Sequence, residues 1–324
     1  MKTDKALHVR GIILLILINL VAATTYPLTK DIVSSLSPSV LIATRFVIAA
    51  FFFARNLRNL NILLLRDGAI LGLLLFLYLT TETIALKTIP VNRAVFIVSL
   101  SALLVPLLGW LNGQRILLRT FLSAGLAALG IGVMFWEGGG LGVGDLLMLG
   151  GTVFYALYTL FLEKVTLNHP ALSLTSVQLL CIAGLGALWS NSRIMTEFDA
   201  INQQWGPILY LALVATAAII WLQTLAQRWV SANETALLYT IDPIFSVIFS
   251  FWLLGEQLGI RGLLGAGFVL AALVLSQGFQ GTEQPSDVQV NGSAIAELLS
   301  ADIESINVPA TLVTPNLVEL ELDS

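Results

Sequence analysis

The sequence has very little charge for its length. Only 11% of its 324 residues are Asp, Glu, Lys or Arg, whereas a soluble domain carries roughly 25% because its surface must be solvated. Apolar residues make up 57% of the chain, and the mean hydropathy is +0.88. A chain of this composition cannot cover itself with charged groups, so we expect lipid to cover most of its surface.

Residues that carry catalytic or metal chemistry are also scarce. The single cysteine, Cys181, excludes an internal disulfide. His8 and His169 lie far apart, and no Cys/His/Asp group has metal-ligand spacing. The glycine-rich stretch 138–144 lacks the Gly-Lys-Ser/Thr ending of a phosphate loop. We therefore predict no metal, no cofactor and no catalytic residues, and we do not expect an enzyme.

Charge of one sign is missing from the C-terminal segment. Residues 280–324 contain eight acidic side chains and no Lys or Arg, although the net charge of the whole chain is only −4. The remainder of the chain is therefore positive, at about +4. This distribution argues against nucleic-acid binding and predicts an acidic, mostly disordered tail.

Long apolar runs dominate the rest of the chain. A helix that spans a bilayer needs about 20 apolar residues, and backbone groups in lipid must be satisfied within such a helix. The sequence therefore predicts an all-α integral membrane protein with ten transmembrane helices. They are expected at residues 11–29, 38–56, 67–86, 91–111, 117–136, 144–163, 171–190, 206–227, 232–253 and 260–279.

The placement of Lys and Arg predicts the orientation of these spans. With a cytoplasmic N-terminus, ten of these residues fall in inner segments and five in outer loops, which fits the positive-inside rule. An even number of spans returns the acidic tail to the cytoplasm. The basic N-terminus followed by an apolar run also resembles a signal peptide, but Asn19 interrupts the run. We expect a multi-pass protein of the plasma (inner) membrane.

The two halves of the chain show weak similarity to each other. At an offset of 141 residues Glu82 falls on Gln223, at 142 Gly113 falls on Gly255, and residues 91–134 resemble residues 233–276. Chance similarity among apolar helices is the alternative. The repeat predicts a cytoplasmic N-terminus (1–10), a first five-helix repeat (11–136), a Gly-rich connection (137–143), a second repeat (144–279) and the tail (280–324).

An odd number of spans in each repeat has a mechanical consequence. The second copy enters the membrane from the opposite side, so the two copies form an inverted repeat about an axis in the membrane plane. Proteins built this way alternate between inward-open and outward-open shapes, with the substrate held near the midplane. The pattern thus favours a transporter.

The second half carries a recognisable pattern. Residues 232–276 contain the pair Asp242-Pro243 and the pair Gly255-Glu256, followed by Gly262, Gly265 and Gly267. In the first half Pro38 precedes Arg45 by seven residues. Together these features resemble the EamA-type transporters of the drug/metabolite transporter superfamily, over residues 8–279.

The resemblance implies a secondary transporter or exporter of amino acids, nucleobases or other small metabolites. Two positions depart from the family pattern in the first half. Ser101 stands where the family has proline, and Gln114 follows Gly113 where the family has an acid. A mechanism that requires a carboxylate in both turns is therefore in doubt for this chain.

Among the ionisable residues inside predicted spans, three stand out as candidates, namely Arg45, Glu82 and Asp242. Each costs at least ~2.5 kcal/mol to insert, so such groups usually face protein or a wet cavity. Arg45 and Glu82 are expected to interact, either around an anionic substrate group or as a permanent structural ion pair. Asp242 precedes Pro243, which removes a backbone hydrogen bond, so it is expected to cap an opened helix or to couple transport to protons or another cation.

Other polar side chains extend this set. Tyr78 and Glu82 stack at i, i+4, and Tyr239 shares a face with Asp242. The alternative is simple hydrogen bonding between helices, which contributes ~0.6 kcal/mol on average. As a group they indicate a cavity for an amphipathic organic molecule. The predicted substrate-binding residues are Arg45, Glu82, Tyr78, Asn19, Gln178, Trp221, Gln223 and Tyr239, with Asp242 and Pro243 at a coupling or helix-break position.

Two groups of glycines are expected to allow close helix packing. They are Gly125, Gly130 and Gly132 in the fifth span and Gly262, Gly265 and Gly267 in the tenth. The partners expected for the whole protein are a small-molecule substrate, the lipid bilayer and protons. A channel-like facilitator is the alternative function, and an intramembrane lipid-modifying enzyme is favoured less.

Overall fold

The computed structural model describes residues 2–57, 60–110, 118–135, 142–191, 193–257 and 259–277. The predicted tail and most of the Gly-rich connection, with Gly113 and Gln114, lie outside these ranges. Every regular element in the described residues is helical. The helices are α1 (Lys2–Ile32), α2 (Pro38–Phe53), α3 (Ile62–Leu86), α4 (Val91–Ser99), α5 (Ser101–Trp110), α6 (Leu118–Phe135), α7 (Val143–Val165), α8 (Ala171–Ser190), α9 (Arg193–Thr196), α10 (Phe198–Gln203), α11 (Trp205–Ala212), α12 (Ile219–Ala226), α13 (Ala232–Leu238), α14 (Asp242–Leu254) and α15 (Ile260–Gln277).

Seven helical segments in the described residues are long and apolar enough to cross a membrane. Three shorter apolar helices, Pro38–Phe53, Leu122–Val133 and Ile260–Ala272, lie where the second, fifth and tenth spans were expected. The all-helical class and the presence of several spans are thus confirmed. The total of ten crossings stays a prediction.

The surface of the helical bundle is apolar, and several charged groups are inside it. Phe51, Leu188 and Trp252 are 78%, 80% and 76% exposed. By contrast, Arg45 and Glu82 are 5% and 4% exposed. This is the reverse of a soluble protein, in which charged residues are almost never fully buried unless they are paired. The chain is a multi-pass integral membrane protein.

The contacts between helices occur in matched sets. Helix α2 packs on α8, and α6 packs on α15. The packing of α3 on α8 is matched by that of α2 on α11, and the packing of α1 on α14 by that of α7 on α5. In addition, α3 packs on α7 and α1 packs on α12. Each of these contacts is therefore found again when both of its helices are replaced by the helices at the equivalent places in the other half.

Three of the membrane-length segments are interrupted. Helices α4 and α5 meet at Leu100, a π-helical turn over Leu213–Ala218 separates α11 from α12, and a 3₁₀ turn over Tyr239–Ile241 separates α13 from α14. Pro243 explains the last of these, because it has no N–H to donate to the Tyr239 carbonyl. Irregular backbone at membrane depth is tolerated where it lines a cavity or is covered by protein.

Close packing of α6 on α15 depends on one glycine. A Cβ atom on Gly130 would lie 2.8 Å from the backbone oxygen of Gly265 and 2.9 Å from the Cβ of Phe268. The same atom on Gly125, Gly132 or Gly267 would meet nothing within 4 Å. The expectation that all these glycines serve helix packing is therefore wrong for these three, because open space adjoins them.

We predict that Gly130→Ala destabilises the protein by ~1–3 kcal/mol, because the new methyl group would meet backbone atoms of α15 and the Cβ of Phe268, which cannot move without the backbone. Thermal unfolding in detergent measures the loss. Gly132→Ala is the matched control, since it makes the same helix-propensity change in open space. Equal melting temperatures for the two variants would contradict this account of the α6–α15 contact.

Candidate functional site

A cavity lies among α1, α2, α3, α4, α7, the π-helical turn, α12 and the 3₁₀ turn before α14. The space open to the centres of water molecules is about 100 Å³. One water needs ~10–15 Å³ by this measure, so the cavity has room for several waters or a small organic molecule. All three helix interruptions contribute to its wall, through Ser99 and Ser101, Thr216, and Tyr239.

Most of the predicted site residues meet in this cavity. Asn19, Arg45, Tyr78, Glu82, Gln223 and Tyr239 line it, together with Asp242. Gln178 and Trp221 are not among the lining residues. Gln178 is fully buried and its Oε1 accepts a hydrogen bond of 3.2 Å from the Tyr158 hydroxyl, so it connects α8 to α7.

Arg45 is held by the π-helical turn. Its Nη2 donates to the carbonyl oxygen of Ala215 at 3.0 Å, and its Nε donates to Oγ1 of Thr216. Thr216 in turn donates to the carbonyl of Leu211 at 2.6 Å. No ion pair within 4.0 Å joins Arg45 to Glu82 in the described structure, although both line the cavity. The direct pair expected from the sequence is therefore absent, because the guanidinium is bonded to the turn.

The two carboxylates each accept a hydrogen bond from a neutral hydroxyl one turn away. Tyr78 donates to Oε1 of Glu82 at 3.0 Å, and Ser246 donates to Oδ1 of Asp242 at 3.3 Å. Tyr26 extends the first contact, with its hydroxyl 3.4 Å from that of Tyr78. Among the described residues, neither carboxylate has a cation within ion-pair distance. Both are therefore buried carboxyl groups without an ion pair in the described part of the chain.

The capping role expected for Asp242 is wrong. The helix interruption is present, but Asp242 is the first residue of α14 and no side chain caps that end. Asn19 satisfies a backbone group there instead: its Nδ2 donates to the Leu238 carbonyl at 3.2 Å and to the Leu15 carbonyl at 3.0 Å. The side chain of Asp242 is consequently not engaged by the helix end.

Tyrosine is concentrated at the cavity. Four of the six tyrosines of the chain line it. The ring of Tyr155 lies 4.8 Å from that of Tyr78 and 6.1 Å from that of Tyr239, measured between centroids. Sequence reasoning missed Tyr155 and Tyr26, because neither is charged or part of a repeated pattern. The only signal for Tyr26 is its position two turns beyond Asn19 on α1.

Some polar atoms in the cavity wall have no partner in the described structure. They include Nε2 of Gln223 and the hydroxyl of Thr25. Gln223 is 3% exposed. Because a buried polar group without a partner costs ~1–3 kcal/mol, these atoms are suited to a bound polar molecule or water.

A cavity that is lined by buried polar and charged side chains at helix interruptions, inside a lipid-facing bundle, is typical of a membrane transporter. Comparison with known proteins agrees: the model of the EamA-like transporter family matches residues 9–136 and again residues 142–277. The chain belongs to this family, which confirms the resemblance seen in the sequence. The family and its relatives define a membrane transporter.

Individual relatives are similar over most of the chain. One uncharacterised transporter from Archaeoglobus fulgidus is 27% identical over 263 residues, which cover 81% of this chain and 83% of that protein. A second from the same organism is 22% identical, covering 65% of this chain and 76% of its own. A solved crystal structure aligns with a TM-score of 0.59 at 18% identity, over 81% of this chain and 95% of its own, and so shares the fold.

We predict that Arg45 and Thr216 act as one structural unit. Thr216→Val should lower stability by ~1–3 kcal/mol, because it leaves Nε of Arg45 without its acceptor, and Thr216→Ser should restore most of it. Arg45→Met and the double variant complete a double-mutant cycle in thermal unfolding. Additive losses would contradict the coupling between the two side chains.

Proposed function

We propose that the protein is a secondary transporter that moves a small organic metabolite across the plasma membrane by alternating access, in the export direction. The observation that carries the proposal is the cavity, which is built at helix interruptions and contains two carboxylates without counter-ions. Membership of a transporter family supports the general class. To this class the proposal adds the alternating-access mechanism, a small organic substrate and transport in the export direction.

The matched helix contacts support ten spans arranged as two inverted repeats. The contact of α1 with α14 and that of α5 with α7 occupy equivalent places in the two halves. Both fourth segments, α4–α5 and α13–α14, are interrupted at the cavity. An exchange of conformations between such halves would move the cavity opening from one face to the other.

Polar contacts join the two halves near both ends of the bundle. Near one end Lys30 Nζ lies 3.3 Å from Glu256 Oε1, and Arg93 Nε lies 2.8 Å from Asp145 Oδ1. Near the other end Asp67 Oδ2 lies 3.0 Å from Nε2 of His169. In alternating access, contacts at one end must open while those at the other close. These pairs are therefore the gating contacts in the proposed cycle.

Glu256 joins three elements at its end of the bundle. Besides the contact with Lys30, its two oxygens accept from the backbone N–H groups of Val91 and Asn92, at 3.1 and 3.2 Å, at the start of α4. Lys30 also donates to the carbonyl of Ile89 at 2.6 Å.

We predict that Glu256→Ala shifts the protein towards the conformation open at this end. A substituted cysteine at a cavity position, in a variant lacking Cys181, should react at least about tenfold faster with a membrane-impermeant thiol reagent added from that side. Asp199→Ala, in the short helix α10, is the control. Unchanged reactivity would remove Glu256 from the gate.

The positive-inside distribution supports placing both termini in the cytoplasm. We predict that epitope tags at the N- and C-termini are both inaccessible in intact cells and accessible after permeabilisation, because ten crossings return the chain to its starting side. Tags on opposite sides would contradict the inverted repeat and, with it, the alternating-access mechanism.

The function itself is tested by a metabolite uptake and efflux screen in vesicles that contain the purified protein. A transporter gives saturable flux that unlabelled substrate on the opposite side accelerates. Proton coupling through Glu82 or Asp242, which share the cavity with Arg45, Tyr26 and Tyr78, would let a pH gradient drive accumulation. Flux that rises linearly with concentration would instead identify a channel-like facilitator, and no flux of any metabolite would contradict both.

A further inference from the structure

We propose that the cavity selects an organic cation, a protonated amine attached to an apolar body, over zwitterions and anions. The proposal rests on the transport function above and specifies its substrate class. Glu82 and Asp242 would hold the ammonium group, and the tyrosines around them would contact the apolar body.

The first argument is the balance of charge in the cavity wall. Glu82 and Asp242 are 4% and 8% exposed, and they accept hydrogen bonds from neutral hydroxyls, not from cations. Arg45 is the one cation that lines the cavity in the described residues. With all three ionised the wall carries a net charge of −1, which a ligand of charge +1 neutralises.

The second argument is that Arg45 already has partners. Two of its three guanidinium nitrogens donate to the carbonyl of Ala215 and to Thr216 in the π-helical turn. A substrate carboxylate that took a bidentate position on Arg45 would have to displace at least one of these bonds. A substrate ammonium displaces no ion pair, because the two carboxylates have none. Anions and zwitterions are therefore at a disadvantage relative to cations.

The third argument is the aromatic wall. Tyr26, Tyr78, Tyr155 and Tyr239 all line the cavity. Tyrosine faces attract cations, by ~0.5–2 kcal/mol depending on desolvation, and they also provide flat apolar area for a ring or alkyl body. The same side chains thus suit both parts of an amphipathic amine.

An independent observation shows that the wall is suited to a ligand. Nε2 of Gln223 is buried, lines the cavity and has no hydrogen-bond partner in the described structure. Gln223 lies on α12, whereas the two carboxylates lie on α3 and α14. A polar substituent on the substrate, such as a hydroxyl group, would satisfy this amide while the ammonium group contacts the acids.

The test uses three probes that share a phenyl ring and differ in charge. Phenethylamine is a cation at neutral pH, phenylalanine a zwitterion and 3-phenylpropionate an anion. Full-length protein is assayed for ligand-induced thermal stabilisation in detergent and for exchange flux in vesicles. We expect half-saturation by phenethylamine at a concentration at least about tenfold below those of the other two.

Two variants and a control test whether the two carboxylates of the cavity determine the preference for the cation. Glu82→Gln and Asp242→Asn should each reduce the preference for phenethylamine by about tenfold or more, while Glu163→Gln, an acid on α7 away from the cavity wall, should leave it unchanged. If the cavity variants do not fold, the wild-type ranking of the three probes still decides.

A preference for phenylalanine or phenylpropionate, or no response to phenethylamine in either assay, overturns the cation proposal. Those outcomes are compatible with saturable flux of another metabolite in the vesicle screen, in which case the transport function stands. Absence of flux for every metabolite in that screen contradicts the transport function itself.

Discussion

Burial of ionisable groups in a lipid-facing bundle is the constraint on which the rest of this structure depends. No water surrounds the helices at mid-membrane to solvate Arg45, Glu82 or Asp242, so each must find compensation inside the protein. Arg45 finds it in the carbonyl of Ala215 and the hydroxyl of Thr216. The carboxylates accept hydrogen bonds only from neutral hydroxyls in the described residues. Arg45 is thus compensated by the protein more fully than the two carboxylates are, so the cavity is better suited to a cation than to an anion.

The helix interruptions follow from the same constraint. A carbonyl freed at membrane depth is costly, so interruptions are confined to places where side chains or a cavity satisfy them. Asn19 donates to the carbonyl of Leu238 beside the 3₁₀ turn, and Arg45 donates to that of Ala215 in the π-helical turn. Asn19 and Arg45, which the sequence predicts as substrate-binding residues, thus also stabilise irregular backbone.

Much of the fold could be predicted from the sequence, because the apolar runs and their breaks directly reflect the thickness of the bilayer. The polar residues within those runs indicated a cavity, and the structure brings Glu82, Gln223 and Asp242 together in one. The side-chain contacts that these polar residues make were predicted less well. The pairing of Arg45 with Glu82 was wrong because a π-helical turn over Leu213–Ala218 has no sequence signature. Tyr155 was missed because its role depends on packing, not on charge.

The attachment of Arg45 has a consequence for how the molecule can move. Helix α2 belongs to the first sequence repeat, whereas the π-helical turn that it holds belongs to the second. Helix α2 also packs on α8 and α11 of the second repeat. In the proposed alternating-access cycle, the rigid bodies that rock against each other therefore need not be the two sequence repeats. Gene duplication and mechanical division would then follow different boundaries in the same chain.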